Sequence, residues 1–574
     1  MVKRINIGMA SCGIAAGAEE VYNFFKQNIP GENIDIVKVG CIGHCYAEPL
    51  VEVITEEGNF LYQNVKPEQE HLDKIINTED YNRFSPHEQR KSREHIKVIQ
   101  LAGKINPISL EEYQDNEGYS ALRKAAAMSP EEIIEEVKTS GLRGRGGGGF
   151  PTGLKWSFLA DKQDSKEKIL ICNADEGDPG AFMDRAMLES VPHQILEGLL
   201  IAAYATGSSQ IFIYVRAEYP LAVKNIKTAI SQVEKAELNI INQQQINISV
   251  KEGAGAFVCG EETALINSLE GRRGNPRFRP PYPTDSGFKD KPTMINNVET
   301  FANIPLILNE GGQTFAKLGT ENSKGTKVFA LAGDLEYPGL VEVPMGITIG
   351  EIIYEIGGAK KGSIKAVQIG GPSGGCIPAQ HFDTPVDYDS LASLGAIMGS
   401  GGLIAIDDSR CMVETSRYFL DFTTKESCGK CTFCRVGTKR MLEALEKITG
   451  KKGTKEDFDF LEEIAPKIKQ GSLCGLGQTA PNPVLSSIRF FRDEFIAHAV
   501  DNRCPTLTCK QLVNIEISQK QCLECGLCIK NCPVDAISED FLVDNDICTS
   551  CNSCIEVCPA NAVSRVEPGG GDSE

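Results

Sequence analysis

Two cysteine runs near the C-terminus constrain this chain more than any other feature. Cys522-x2-Cys525-x2-Cys528-x3-Cys532-Pro533 is followed by Cys548-x2-Cys551-x2-Cys554-x3-Cys558-Pro559, an internal repeat. Each run crowds three thiols around one short turn and adds a fourth just before proline. The chain holds 21 cysteines in 574 residues. Clustered at such spacings in an intracellular-looking chain, they signify metal or cluster ligation rather than disulfides. Met1-Val2-Lys3-Arg4 leads into a strand-like segment unlike a signal peptide, and no apolar run approaches a spanning length. A soluble, cytoplasmic chain is expected. Its net charge of −19 argues against nucleic acid or an anionic membrane surface as partner.

The repeat resembles the bacterial two-cluster ferredoxins, in which the fourth cysteine of each run ligates the other cluster. That resemblance implies one [4Fe–4S] cluster on Cys522, Cys525, Cys528 and Cys558, and another on Cys548, Cys551, Cys554 and Cys532. A third set lies upstream. Cys428-x2-Cys431-x2-Cys434 places three thiolates around one compact turn, with Cys474 as the fourth corner. A zinc site also uses four cysteines, but this spacing suits a [4Fe–4S] cubane. Cys411 has no evident partner and reads as core, as do Cys172 and Cys259. His498-x5-Cys504-x4-Cys509 resembles part of a structural zinc site whose fourth ligand is not evident locally; unliganded residues are the other reading.

The second dominant feature is Gly141-Leu142-Arg143-Gly144-Arg145-Gly146-Gly147-Gly148-Gly149-Phe150-Pro151-Thr152-Gly153-Leu154-Lys155-Trp156. Such a glycine run permits positive φ and close backbone approach by a ligand, and its N–H groups form an anion-binding nest. Arg143, Arg145 and Lys155 add positive charge. A phosphate-bearing cofactor is the expected guest; a flexible linker is the bland alternative. Ser129-Pro130-Glu131-Glu132 starts a helix into the loop. Downstream, the apolar strands Lys168–Asn173 and Gln210–Arg216 alternate with helices, which indicates an α/β layer. Gly253–Thr263 is a second glycine-rich turn that opens a helix.

The glycine stretch closely resembles the flavin loop of the NADH-binding subunit of respiratory complex I and its soluble relatives. The resemblance covers nearly the whole chain. It implies FMN in the loop with NAD(H) stacked over it, contacted by Gly141, Arg143, Gly144, Gly146, Phe150 and Lys155. Asn173, Asp175 and Glu176 match flavin contacts, and Asn296, Asn297 and Thr300 match the flavin-phosphate segment. Phe182, Tyr219, Gly260, Glu261, Glu262 and Tyr282 fall on the nicotinamide and adenine side. Hydride transfer takes place on the cofactor, so no catalytic side chain is expected.

The same resemblance divides the chain into an α/β multidomain protein. Residues 1–85 form a thioredoxin-like domain, with Cys12, Cys41 and Cys45 in place of the four cysteines of the family's [2Fe–2S] cluster. Gly17 stands where the fourth would be. Either another ligand, such as His44, completes the cluster or the domain is a cluster-free docking module. Residues 86–128 read as linker and lead-in, and 129–325 as a Rossmann-like FMN/NAD(H) domain. A β-grasp insert at 326–405 precedes a helical [4Fe–4S] bundle at 406–500. A zinc linker at 501–515, the 2[4Fe–4S] ferredoxin domain at 516–566 and a disordered tail at 567–574 complete the chain.

The appended ferredoxin departs from the complex I subunit and resembles the β-subunit of soluble, NAD-linked, electron-bifurcating [FeFe]-hydrogenases. The partners implied are a hydrogenase α-subunit, a small [2Fe–2S] γ-subunit and ferredoxin. A diaphorase subunit of a formate dehydrogenase or of a complex I-type enzyme is the nearest alternative. A non-catalytic wiring scaffold that has lost its flavin is a third. Arg272, Arg273, Arg277 and Arg279 leave NAD and NADP both open.

Overall fold

The computed structural model describes residues 2–29, 34–86, 90, 94–162 and 167–568. His87-Glu88-Gln89 and Lys91 of the expected linker, and Gly569–Glu574 of the expected tail, lie outside them. The chain divides into two compact units, Met1–Ala405 and Ile406–Glu574.

The first unit contains three main sheets. At its N-terminus Asp35–Val39 pairs in parallel with Val2–Gly8, which pairs antiparallel with Val51–Thr55 and then Asn59–Tyr62. Helix Ala18–Asn28 buries Ala18, Val21 and Phe25 against this sheet. The second sheet is wholly parallel, in the order Thr293–Asn297, Ile169–Ala174, Gln210–Arg216, Asn247–Gly253. Helices cover it, so Ile169–Ala174 reads as an almost continuous apolar run. The third sheet runs Gly339–Pro344, Thr326–Gly333, Gly402–Asp407, Ile364–Ile369, Gly375–Pro378, with its own core around Phe329, Ile353 and Val367.

Residues 98–126, expected as linker, are part of the main core. Val98, Ile99, Tyr113, Tyr119 and Ala121 are buried there, and short helices form at Leu110–Asp115 and Ser120–Ala126. Two remote, buried carboxylates hold this segment. Glu342 accepts from the amides of Lys97, Val98 and Ile99 and from the Thr326 hydroxyl. Glu197 accepts from the amides of Tyr119 and Leu122 and from the Tyr113 hydroxyl. Local polarity suggests a linker because the groups that bury it lie far away in sequence.

The second unit begins as a helical bundle: Met412–Lys425, Thr438–Thr449, Lys455–Gly471, Asn482–Phe490 and Arg492–Ala499. It ends in a small repeat closed by an antiparallel pair, Asn514–Ile517 with Val563–Val566. The repeat is visible in the backbone. Gly526 (φ +73°) and Asn552 (φ +75°) occupy the same motif position, and each opens a one-turn helix, Leu527–Lys530 and Ser553–Glu556.

Among the described residues no helix is long and apolar enough to cross a membrane.

Candidate functional site

Helix Pro130–Thr139 is started by a Ser129–Glu132 capping box and stopped at Gly141, whose φ of +65° reverses the chain. The loop that follows is pinched at its base. The Gly144 amide donates to the Phe150 carbonyl at 2.9 Å, and that of Thr152 to the Leu142 carbonyl at 2.8 Å. Gly147 and Gly149 have φ of +123° and +60°. A Cβ at Gly146 would lie 2.9 Å from Asn297 Cβ, whereas one at Gly148 would meet nothing within 4 Å. The backbone is thus backed on one side and open on the other, the form a cradle for a planar ligand requires.

The loop's arginines also brace it through backbone carbonyls. Arg143 donates to the Gly149 carbonyl at 2.5 Å and lies over the Tyr388 ring at 4.3 Å. Arg145 is fully buried and donates to the carbonyls of Arg143 and Lys324 at 3.1 and 2.6 Å. Its amide donates to the Thr300 hydroxyl at 2.9 Å. Lys155 reaches the Ile295 carbonyl at 2.7 Å and Glu262 at 3.4 Å. Phe150 stands half-exposed against Phe158.

Behind the loop, Trp156 Nε1 donates to Asn296 Oδ1 at 3.3 Å. Asn297 caps helix Val298–Ala302 through its Oδ1, and its Nδ2 donates to Asp184 Oδ2 at 2.6 Å. Asp184 belongs to an acidic layer with buried Glu176 and half-buried Asp178. Burial pushes Glu176 up to about 7 and Asp178 up to about 6, and carries Asp184 well above the usual carboxylate range. The Glu176 carboxylate accepts from the amides of Asp184 and Arg185 at 3.2 and 3.1 Å.

On the other side, Asn173 Nδ2 donates to the Gly260 carbonyl at 2.9 Å, joining the first strand end to the second glycine turn. The Tyr219 hydroxyl donates to the Glu176 carbonyl at 2.7 Å, and Arg185 lies over both Phe182 and Tyr219. Glu261, expected to meet ligand hydroxyls, caps its own helix through Oε2, which accepts from the amides of Thr263 and Ala264. Glu262 pairs with Arg279 at 2.7 Å. Arg277 is held by Glu270 at 2.6 Å, while Arg272 and Arg273 are exposed. Tyr282 is also exposed.

No sequence signal singles out Tyr388. It comes from the third sheet's region, and its hydroxyl donates to the Gly144 carbonyl at 2.8 Å. From the same region Ser400 donates to Asp178 at 2.7 Å. No local pattern marks either residue, because only the fold brings them to the loop.

The cysteines fall into two geometries. In the C-terminal repeat, one small cavity is lined by Cys522, Cys525, Cys528 and Cys558, and a second by Cys532, Cys548, Cys551 and Cys554. Around Cys434, burial pushes the thiol up to about 11, with the charges of Cys431, Cys474 and Cys428 adding to the effect. None of these twelve belongs to the close groups. Among the described residues, only two groups of Cys, His, Asp or Glu bring three or more ligand atoms within 4.8 Å of one another.

The first close group is Cys411, His498, Cys504 and Cys509, all buried. Cys411, read as core from sequence, lies 3.2 Å from His498 Nε2 and 3.7 Å from Cys509 Sγ. His498 Nδ1 is 2.7 Å from the Glu494 carbonyl, which leaves Nε2 directed at the sulfurs. Burial alone would lower His498, but its contacts with Cys411 and Cys504 push it up to about 10. The second group is Cys12, Cys41 and Cys45. His44 is not part of it; its Nδ1 lies 3.0 Å from the Tyr46 hydroxyl.

Three family models match the chain: the Nuo51 FMN-binding domain over residues 137–306, the NADH-ubiquinone oxidoreductase-F iron-sulfur binding region over 414–498, and the 4Fe-4S binding domain over 515–538 and 541–564. The NADP-reducing hydrogenase subunit HndC of Solidesulfovibrio fructosivorans is 51% identical over 76% of this chain and 90% of its own length. An NADH-quinone oxidoreductase subunit of Rhizobium meliloti is 44% identical over 69% of this chain and 96% of its own. Among solved structures, an NAD+-reducing [NiFe]-hydrogenase in the H2-reduced state matches with a TM-score of 0.64 at 31% identity, covering 86% of this chain and 84% of that one. With the braced glycine cradle and the cubane-spaced cysteines, these matches show that the chain belongs to the family of NADH-binding FMN/iron–sulfur subunits shared by complex I and NAD(P)-linked hydrogenases.

Proposed function

We propose that this chain is the flavin- and NAD(H)-binding subunit of an electron-bifurcating hydrogenase. It would exchange a hydride between NAD(H) and FMN, and single electrons with a hydrogenase subunit and ferredoxin. The observation that carries this reading is the coexistence of one braced flavin cradle with three cubane-type cysteine sets, two of them in an appended ferredoxin-like repeat. FMN, when bound, supplies the step between a two-electron hydride and single electrons.

The protein's own residues have three tasks. Gly144–Gly149 give the backbone approach, with Asn296, Asn297 and Thr300 fixing the wall behind them. Asn173, Asp175 and Glu176 border the cradle, and the raised carboxyl of Glu176 limits negative charge beneath it near neutral pH. Phe182, Tyr219, Glu262 and Tyr282 border the side from which a nicotinamide nucleotide would enter.

We assign [4Fe–4S] clusters to Cys428, Cys431, Cys434 and Cys474, and to the two crossed sets of the repeat. A zinc-class ion suits Cys411, His498, Cys504 and Cys509, three sulfurs and one imidazole within tetrahedral reach. The N-terminal sheet and the third sheet are read as thioredoxin-like and β-grasp modules. So many clustered free thiols suit a reducing cytoplasm.

The test is hydrogen-dependent NAD(P) reduction by the complex purified from its host, with and without oxidised ferredoxin. The expected result is reduction that requires ferredoxin as co-acceptor. Reduction driven by formate or another donor, and not by hydrogen, overturns the hydrogenase assignment and leaves the flavin module. A chain that releases no FMN on denaturation overturns both.

A further inference from the structure

The N-terminal cysteines do not have the geometry of the cluster that the resemblance implies. A [2Fe–2S] rhomb spreads its four ligands in pairs over two irons, so three thiolates cannot all stand close together. Here Cys12, Cys41 and Cys45 lie mutually within 4.8 Å, and the Cys41 and Cys45 sulfurs are 3.8 Å apart. Thiolates on one tetrahedral ion with metal–sulfur bonds of about 2.3 Å stand about 3.8 Å from each other. The molecule supplies its own control. The twelve cubane-type cysteines stay out of such close groups, while the Cys411 set forms one.

The place of the missing fourth cysteine does not alter this. A Cβ built on Gly17, at φ +99°, meets within 4 Å only Glu20 Oε2. One carboxylate borders the three sulfurs on the Cys12 side, outside the mutually close set. Glu48 is 6% exposed, and its Oε1 lies 3.7 Å from Cys12 Sγ while its Oε2 accepts from the Leu50 amide at 2.8 Å. Gly8 and Gly13 make room for this carboxylate: a Cβ on either would stand 3.0 or 3.2 Å from Glu48 Oε2. The Gly43 amide donates to Cys41 Sγ at 3.2 Å, as amides do beside metal thiolates. Glu48 also lines a cavity of about 530 Å³ with Gly8, Gly40 and Leu50.

We propose that Cys12, Cys41 and Cys45 hold a single zinc-class divalent ion, with Glu48 as the oxygen donor that completes its shell. Such an ion is redox-silent. The N-terminal domain is then off the electron path, and the ion ties the Gly8–Gly13 turn to the Gly40–Glu48 loop.

The experiment counts metals in the full-length chain, loaded with iron–sulfur clusters in an anaerobic host, by mass spectrometry, with EPR of the reduced protein. Cys41→Ser is expected to remove one zinc-class equivalent per chain and leave iron and FMN unchanged. Loss of two irons together with a [2Fe–2S] EPR signal overturns the proposal, as does no change in metal. The proposal leans on the zinc reading of the Cys411 set only for contrast, and Cys411→Ser tests that separately by removing a different equivalent. The unsubstituted chain guards against a variant that does not fold: two zinc-class equivalents support the proposal, and one overturns it if Cys411→Ser abolishes it. Glu48→Gln should speed loss of the ion to a chelator by at least the roughly tenfold that loss of a supporting group costs, since Glu48 is here a ligand. An unchanged rate removes Glu48 from the shell.

Discussion

Each half of the C-terminal repeat and the Cys411 set gather four candidate metal ligands, yet only the first is legible in full along the chain; of the second, the sequence shows His498, Cys504 and Cys509 but not Cys411. In the repeat, three ligands of each set fall within one turn, and the fourth is supplied by an identical neighbouring turn. Cys411 is 87 residues from His498, and the contact exists only because helices Met412–Lys425 and Arg492–Ala499 lie in one bundle. Short spacing writes ligation into local sequence. Long-range ligation is written into the core, where a cysteine looks like any small apolar residue.

The sharpest way to break this comparison is to remove one long-range ligand from each set. Cys411→Ser should abolish the zinc-class equivalent of its own set, lowering affinity by more than the roughly 100-fold that loss of a supporting group alone can cost, with iron unchanged. Cys558→Ser should leave zinc unchanged and destroy the cluster on Cys522, Cys525 and Cys528, since it lines their cavity. Metal analysis reads both. If Cys558→Ser instead spares that cluster and damages the one on Cys548, Cys551 and Cys554, the crossed arrangement is wrong.

The same contrast governs how much else was legible. The flavin loop, the parallel-sheet strands and the helix from Pro130 could be read because glycine, apolar runs and the Ser129–Glu132 box act locally. The roles of Arg143 and Arg145 could not, because their acceptors include carbonyls of Asn322 and Lys324. Nor could the burial of residues 98–126, which depends on Glu197 and Glu342. Glu342→Ala should therefore destabilise the first unit by about 4 kcal/mol, since several buried donors lose their acceptor at once. Glu342→Gln, which keeps one acceptor oxygen, should recover part of this. Equilibrium urea unfolding measures both. A loss below about 1 kcal/mol would mean the segment is held by apolar burial alone.

The acidic layer sharpens the comparison on the side of the flavin site. Glu176 titrates near 7 when folded, against an ordinary value of 4.5. The folded chain thus binds more protons than the unfolded chain between those values. Its contribution is favourable at low pH and is lost as pH rises through about 7. The shift corresponds to about 3 kcal/mol in the flavin-free protein. Unfolding measured from pH 5 to 8 should show stability declining, and Glu176→Gln should flatten that decline. A profile unchanged by the substitution would place the titration on other groups.

Tyr388 gives the smallest and most specific test, because it separates bracing of the loop from the loop's own glycine geometry. Tyr388→Phe keeps the ring under Arg143 and removes only the hydroxyl that donates to the Gly144 carbonyl. One neutral hydrogen bond contributes about 1 kcal/mol, so FMN affinity should fall about fivefold while the fold and cluster content stay intact. Tyr388→Ala also removes the surface against which Arg143 stacks and Gly149 turns, and should cost distinctly more. If both variants bind FMN as tightly as the parent, the cradle holds its shape through Gly141–Pro151 alone. The contact from the third sheet's region would then serve that region's own packing and not the site.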